Sequence, residues 1–143
     1  MGRLRRLSNT YCLDEQIGFL LRRATQRHLA IFAAHISDLT PTQFAALAKL
    51  CEIGPVSQNA LGRATAMDGA TIKGVVDRLQ SKGLVNSEPD ADDRRRLLLA
   101  ATEKGQAELA SLTTEALEIS AETLKPLSAD EQTKLLALLR KLC

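Results

Sequence analysis

The sequence of 143 residues predicts a mostly helical (α+β) fold, in which a helix-turn-helix is followed by a small basic β hairpin and flanked by long helices. Three observations carry this. In LGRATAMDGATIKGVVDRLQSKGLV, Leu61 to Val85, the apolar residues Ile72, Val75, Val76 and Leu79 recur with the period of a helix buried on one side. Next, NSEPDADDRRR from Asn86 to Arg96 leads into the apolar run Leu97 to Ala101, a strand, a turn and a returning strand with three arginines near the turn. Finally, the segments at both ends carry more apolar side chains than one buried stripe requires. Together they describe a helix-turn-helix with a basic wing.

Taken in order, residues 1–12 form a flexible basic arm with Arg3, Arg5 and Arg6. Residues 13–38 form a dimerisation helix, running from Leu13 to about Ile36. Its Ile17, Leu20, Leu21, Ala24, His28, Ile31, Phe32 and His35 make two overlapping stripes, and a second copy of the chain would bury the excess. Residues 39–101 hold the winged unit. Thr40, Pro41 and Gln43 spell a capped helix start, which Gly54-Pro55 ends. Ser57 caps a short helix from about Gln58 to Ala64, and Asp68 caps the helix that Gly83 stops after Lys82. Residues 102–143 return to helix, with caps at Thr102 and Ser128 and a break at Pro126. The Leu135, Leu136, Leu138, Leu139 and Leu142 cluster is strongly apolar, so this region is also assigned to dimerisation.

The length suits one domain with a real core. A net charge of +2 says little, but Lys73, Arg78, Lys82 and Arg94 to Arg96 concentrate positive charge in the middle third. No stretch is long and apolar enough for a membrane span, and MGRLRRLSNT lacks the apolar core of a secretory signal. Cytoplasmic residence without a membrane partner is the expectation. Cys12, Cys51 and Cys143 are odd in number and widely spaced, which argues against a disulfide framework or a zinc site. His28 and His35 share one helix, with no acidic or cysteine partner beside them at metal-ligand spacing. No catalytic triad or phosphate-binding loop is present. Neither an enzyme, a metal nor a cofactor is expected.

Duplex DNA is the partner that the residues favour. Gly69, Ala70 and Gly74 allow the helix to approach another surface closely, and a glycine at position 74 costs about 1 kcal/mol of helix stability against alanine. Thr71 can meet a thymine methyl or a base acceptor, and Lys73 can donate to guanine in the major groove. Arg78, later on the helix, suits a phosphate or an internal ion pair. Arg94, Arg95 and Arg96 at the hairpin tip can enter a narrow minor groove, and Asp93 can hold a guanidinium in position.

The stretch from Leu39 to Gly105 resembles the MarR family of winged-helix regulators. The matching pieces are LTPTQFAALAKL, ALGRATAMDGATIKGVVDRLQSKGLV, the wing's Asp93-Arg94-Arg95, and Thr102 to Gly105. Within them lie Val76 to Leu79 as VDRL and Lys82 to Val85 as KGLV. The resemblance implies base contacts from the first turns of the Asp68 to Ser81 helix, a minor-groove role for Arg95 and a brace at Asp93. It also implies a triangular homodimer that binds a pseudo-palindromic operator, usually as a repressor. Gly69 and Ala70 depart from the longer or polar residues found in many members.

Control by a small ligand between the dimerisation helices and the winged unit is expected. Arg22, Arg23, His28 and His35 can neutralise an anion, while Phe19, Phe44 and Ile72 can hold an aromatic ring. The resemblance implies an aromatic acid or phenolic effector, and the chain is similar to regulators of hydroxylated aromatic-acid breakdown, including nicotinate catabolism. The alternatives are a thiol-based redox sensor and a helical protein-interaction module that does not bind DNA. Gly18 stands where the resemblance places the sensing cysteine of peroxide-responsive members, which argues against the first. The small face and the wing arginines argue against the second.

Overall fold

The computed structural model describes residues 10–143, so Arg3, Arg5 and Arg6 of the basic arm lie outside the described residues. Six α-helices and one antiparallel ribbon follow in the order α1 (Ile17–His35), α2 (Pro41–Ile53), α3 (Gln58–Ala64), α4 (Gly69–Ser81), β1 (Val85–Pro89), β2 (Leu97–Ala101), α5 (Glu103–Leu124) and α6 (Ala129–Lys141). The mostly helical winged architecture is the one the sequence predicts. One boundary differs. The first long helix starts at Ile17 and not at Leu13, because Gln16 is extended and separates it from a single 3₁₀ turn over Leu13–Glu15.

Caps set the other starts. The Thr40 hydroxyl accepts from the Gln43 amide, while the Gln43 side chain accepts from the Thr40 amide, a complete capping box. Ser57, Asp68 and Thr102 cap α3, α4 and α5, and Ser128 with Glu131 repeats the box at α6. The end of α4 is a Schellman motif. Gly83 adopts φ +73°, its amide donates to the Gln80 carbonyl, and the Leu84 amide reaches back to Leu79. That turn aims the chain directly into the wing.

Leu47, Leu50, Leu61, Ile72, Val76 and Leu79 are the largest fully buried side chains, and they join α2, α3 and α4. Leu84, Val85 and Leu99 extend this core beneath the wing, and Phe32, Ile36, Leu39 and Ile119 extend it toward α1 and α5. In the ribbon Val85 pairs with Ala101 and Pro89 with Leu97. Val56 adds a bridge on the free edge of β2, exchanging two backbone hydrogen bonds with Leu99. The wing is therefore anchored on both sides of β2.

The end of α4 is tied to the start of α5 as well. The Thr102 amide donates to the Leu84 carbonyl, its hydroxyl to Gly83 (2.7 Å), and Lys104 Nζ to Lys82 (2.9 Å). By contrast α6 buries none of its residues. Leu136, Leu138 and Leu142 on α6 and its C-cap, and Ile17, Leu20 and Leu21 on α1, are exposed apolar side chains. Among the described residues no helix is long and apolar enough to cross a membrane.

Candidate nucleic-acid interface

The periodicity of α4 divides it cleanly. Ile72, Val75, Val76 and Leu79 are buried, while Gly69, Ala70, Thr71, Lys73, Gly74 and Arg78 are exposed. A Cβ added at Gly69 or Gly74 would meet nothing within 4 Å, so packing inside the chain does not require either glycine. Gly62 is the contrast. A Cβ there would lie 3.1 Å from the Met67 carbonyl oxygen and 3.2 Å from the Ile72 side chain, so that glycine is needed to seat α3 on α4. The Asp68 carboxylate accepts from the Thr71 amide at 2.7 Å, and this bond holds its pKa below the usual carboxylate value. Lys73 Nζ reaches Asp77 at 3.0 Å, one turn on. Arg78 makes no ion pair among the described residues, which leaves it open to solvent.

At the wing tip Arg94, Arg95 and Arg96 are exposed. Asp93 braces the turn differently from the expectation. Its carboxylate accepts from the Arg95 backbone amide at 3.1 Å, and its carbonyl accepts from the Arg96 amide at 2.9 Å. Among the described residues it makes no contact with a guanidinium, so it shapes the backbone and leaves the arginine side chains unconstrained. Asp90 closes the other side of the turn, accepting from the Asp92 amide at 3.0 Å. Sequence reading did not single out Arg63, which lies on the last turn of α3. It lines a small cavity with Asn59, Met67 and Gly69, beside the opening of α4. Its place just before the turn was the available signal. Lys82, counted with the basic cluster, donates to the Asp38 carbonyl at 2.6 Å and is occupied inside the fold.

Of the seven residues expected around a ligand, His28 and His35 line two different cavities and the other five line neither. Phe19, Arg22 and Arg23 lie on the open N-terminal half of α1, with the Arg23 guanidinium 6.0 Å from the centre of the Phe19 ring. Phe44 packs edge-on against Phe32, ring centres 6.0 Å apart. Ile72 is a core residue beneath Gly62, 1 % exposed, and is not the floor of an open crevice. His28 is half-buried, with Nδ1 2.8 Å from the Thr123 hydroxyl, at the edge of an apolar pocket lined by Leu21, Ala24, Leu124, Leu135 and Leu139.

His35 is not free to receive an anion, because carboxylates occupy both ring nitrogens. Nδ1 lies 2.7 Å from Glu115 and Nε2 2.7 Å from Glu122. Neighbours in sequence offered no acidic partner, but the fold brings Glu115 and Glu118 from α5 to within 4.8 Å of the imidazole. Burial raises the pKa of the Cys51 thiol, which disfavours the reactive thiolate.

Residues 37–96 match the profile of the MarR family. The chain is 45 % identical over 139 residues to the HTH-type transcriptional repressor NicR of Pseudomonas putida, covering 95 % of this chain and 88 % of that one. The chain belongs to the MarR family. Two solved structures agree with this MarR-family fold over nearly the whole length. A probable transcriptional regulator from Pseudomonas aeruginosa superposes with a TM-score of 0.90 at 53 % identity, covering 92 % of this chain and 100 % of its own. Bordetella bronchiseptica BpsR, whose DNA binding is regulated by 6-hydroxynicotinic acid, gives 0.90 at 39 % identity, with coverage of 93 % and 96 %. This MarR-family chain is a dimeric DNA-binding transcriptional regulator and not an enzyme.

Proposed function

We propose that this protein is a repressor that binds a pseudo-palindromic operator as a homodimer and leaves it when a small aromatic acid of the hydroxynicotinate class binds. The observation that carries the ligand class is the similarity to NicR and to BpsR, over nearly the full chain in both cases. The open outer face of α4 supports the mode of DNA reading. Gly69, Ala70 and Gly74 let the helix sit deep in the major groove, where Thr71 and Lys73 reach base edges, while Arg78 meets a phosphate. Arg95, flanked by Arg94 and Arg96, enters the minor groove. The exposed leucines of α6 and the apolar start of α1 are the faces that a second copy covers.

For the effector, His28 is the aromatic-acid contact that its surroundings favour, since it is half-buried at an apolar pocket wide enough for one ring. Arg22 and Arg23, five and six residues earlier on the same helix, turn to other faces of it and do not line this pocket, so the charge for a carboxylate has to come from elsewhere. Phe19, nine residues before His28, and Phe44, packed against Phe32, do not line that pocket. Release requires that the ligand prefer the dimer conformation that fits DNA poorly, because affinity alone shifts nothing.

The test is a titration of the protein onto labelled DNA from its own upstream region, with and without 6-hydroxynicotinic acid and related aromatic acids. Specific binding relieved by one of them supports the reading. Binding indifferent to every acid but abolished by mild oxidation would replace it with the thiol reading. Base reading is tested in the same assay. Lys73→Ala is expected to change the preference among operator variants, whereas Arg78→Ala should weaken all of them alike. A uniform loss from Lys73→Ala would reduce it to a backbone contact.

A further inference from the structure

Helices α1 and α5 meet at His35. Its Nδ1 stands 2.7 Å from Glu115 Oε2 and 3.9 Å from Glu118 Oε2, and its Nε2 stands 2.7 Å from Glu122 Oε2. An ionised carboxylate only accepts hydrogen bonds, so both ring nitrogens must donate, and only the imidazolium has two N–H groups. Removing its proton leaves a nitrogen lone pair facing a carboxylate oxygen at hydrogen-bond distance, and removes the positive charge that three glutamates surround. The other cations of this groove are Arg27 on α1 and Lys125 after α5. Arg27 donates to the backbone carbonyls of Glu122 (3.0 Å) and Thr123 (2.7 Å), so it grips the end of α5 without taking a glutamate. Lys125 is in no ion pair among the described residues.

We propose that His35 is a pH-sensitive clasp that fastens α5 to α1 when protonated and loosens that joint when it loses its proton. The hydrogen bonds from Glu122 and Glu115 raise its pKa above the ordinary 6.5. A raised folded-state pKa stabilises the joint fully below the unfolded value, and this stabilisation fades as pH rises through the higher folded value. The working window therefore opens near neutrality and extends upward. The histidine is placed among several carboxylates on the facing helix, which makes the device a joint between helices and not a surface ion pair within one. It is independent of which ligand or operator the protein takes.

An NMR titration of the two imidazoles in the intact protein, with chelator present and His28→Gln used for assignment, reads the clasp directly. We expect His35 to titrate above 6.5, with its midpoint falling in Glu115→Gln and further in Glu115→Gln/Glu122→Gln. Amide protection in the last turns of α1 and along α5 should drop severalfold across that midpoint, and should stay level in His35→Gln. A His35 midpoint at or below 6.5, or one unmoved by both glutamine substitutions, overturns the proposal. So does a drop in protection that persists in His35→Gln. If His35→Gln fails to fold, the titration of the glutamine variants decides alone.

Discussion

Gly105→Ala is expected to destabilise the protein by about 3 kcal/mol or more, beyond the usual range for an added core methyl, because backbone must move. Gly105 is buried on the first turn of α5, and a Cβ there would overlap the Leu84 carbonyl oxygen and lie 3.3 Å from Leu47 Cδ1. That carbonyl cannot swing away cheaply, since it accepts the Thr102 amide at 3.0 Å, directly before α5. Leu47 is fully buried and has no space to yield. Urea unfolding of the wild type and the variant measures the loss. Gly74→Ala is the internal control. Its Cβ would meet nothing within 4 Å, so the fold should gain up to about 1 kcal/mol of helix propensity. Equal stability of the two variants would show that α5 is not seated as described.

Arg95→Ala should lower DNA affinity by roughly 5- to 150-fold, the range expected when a specific interaction of about 1–3 kcal/mol is removed, while leaving thermal stability unchanged. Arg95 is exposed, and among the described residues only its backbone amide is held, by Asp93. Nothing in the fold depends on the guanidinium. Fluorescence anisotropy at several salt concentrations is the measurement, because a protein that neutralises fewer phosphates also shows a flatter salt dependence. Asp93→Ala should give a smaller loss, since the turn has a second brace in the carbonyl of the same residue. Unchanged affinity of Arg95→Ala at moderate salt would remove the wing tip from the interface.

Features decided by a few adjacent residues were legible in the sequence. Thr40 with Gln43, Asp68 before Gly69, and Ser128 with Glu131 all cap the helices they introduce, because a cap needs only a side chain and an amide three residues on. The buried stripe of α4 was equally plain, because a helix of 3.6 residues per turn puts Ile72, Val76 and Leu79 on one face. What distance in sequence hides is different in kind. His35 meets Glu115 and Glu122, 80 and 87 positions later, and no local pattern announces that pairing. Reading it as a receptor for an anion ignored what the opposite helix would bring. The sequence suggests that Asp93 holds a guanidinium, whereas its carboxylate accepts from the Arg95 amide, because the partner depends on the turn conformation, which spacing alone does not decide. Ile72 shows the limit of a helical wheel, which separates buried from exposed but does not separate core from pocket.

One consequence follows from how α5 is fastened at its two ends. Its start is bonded to the carbonyls of Lys82 and Gly83, just after α4, through Thr102 and Lys104, while its distal half faces α1. The 22 residues of α5 make a rod about 33 Å long at ~1.5 Å per residue. Such a rod is a lever arm. A tilt of about 5° at the α1 end carries the other end by ~3 Å, close to the ~3.4 Å rise between successive bases on one strand. A small tilt at the α1 end would thus displace α4 by nearly a base step, and in a symmetric pair both arms would swing together.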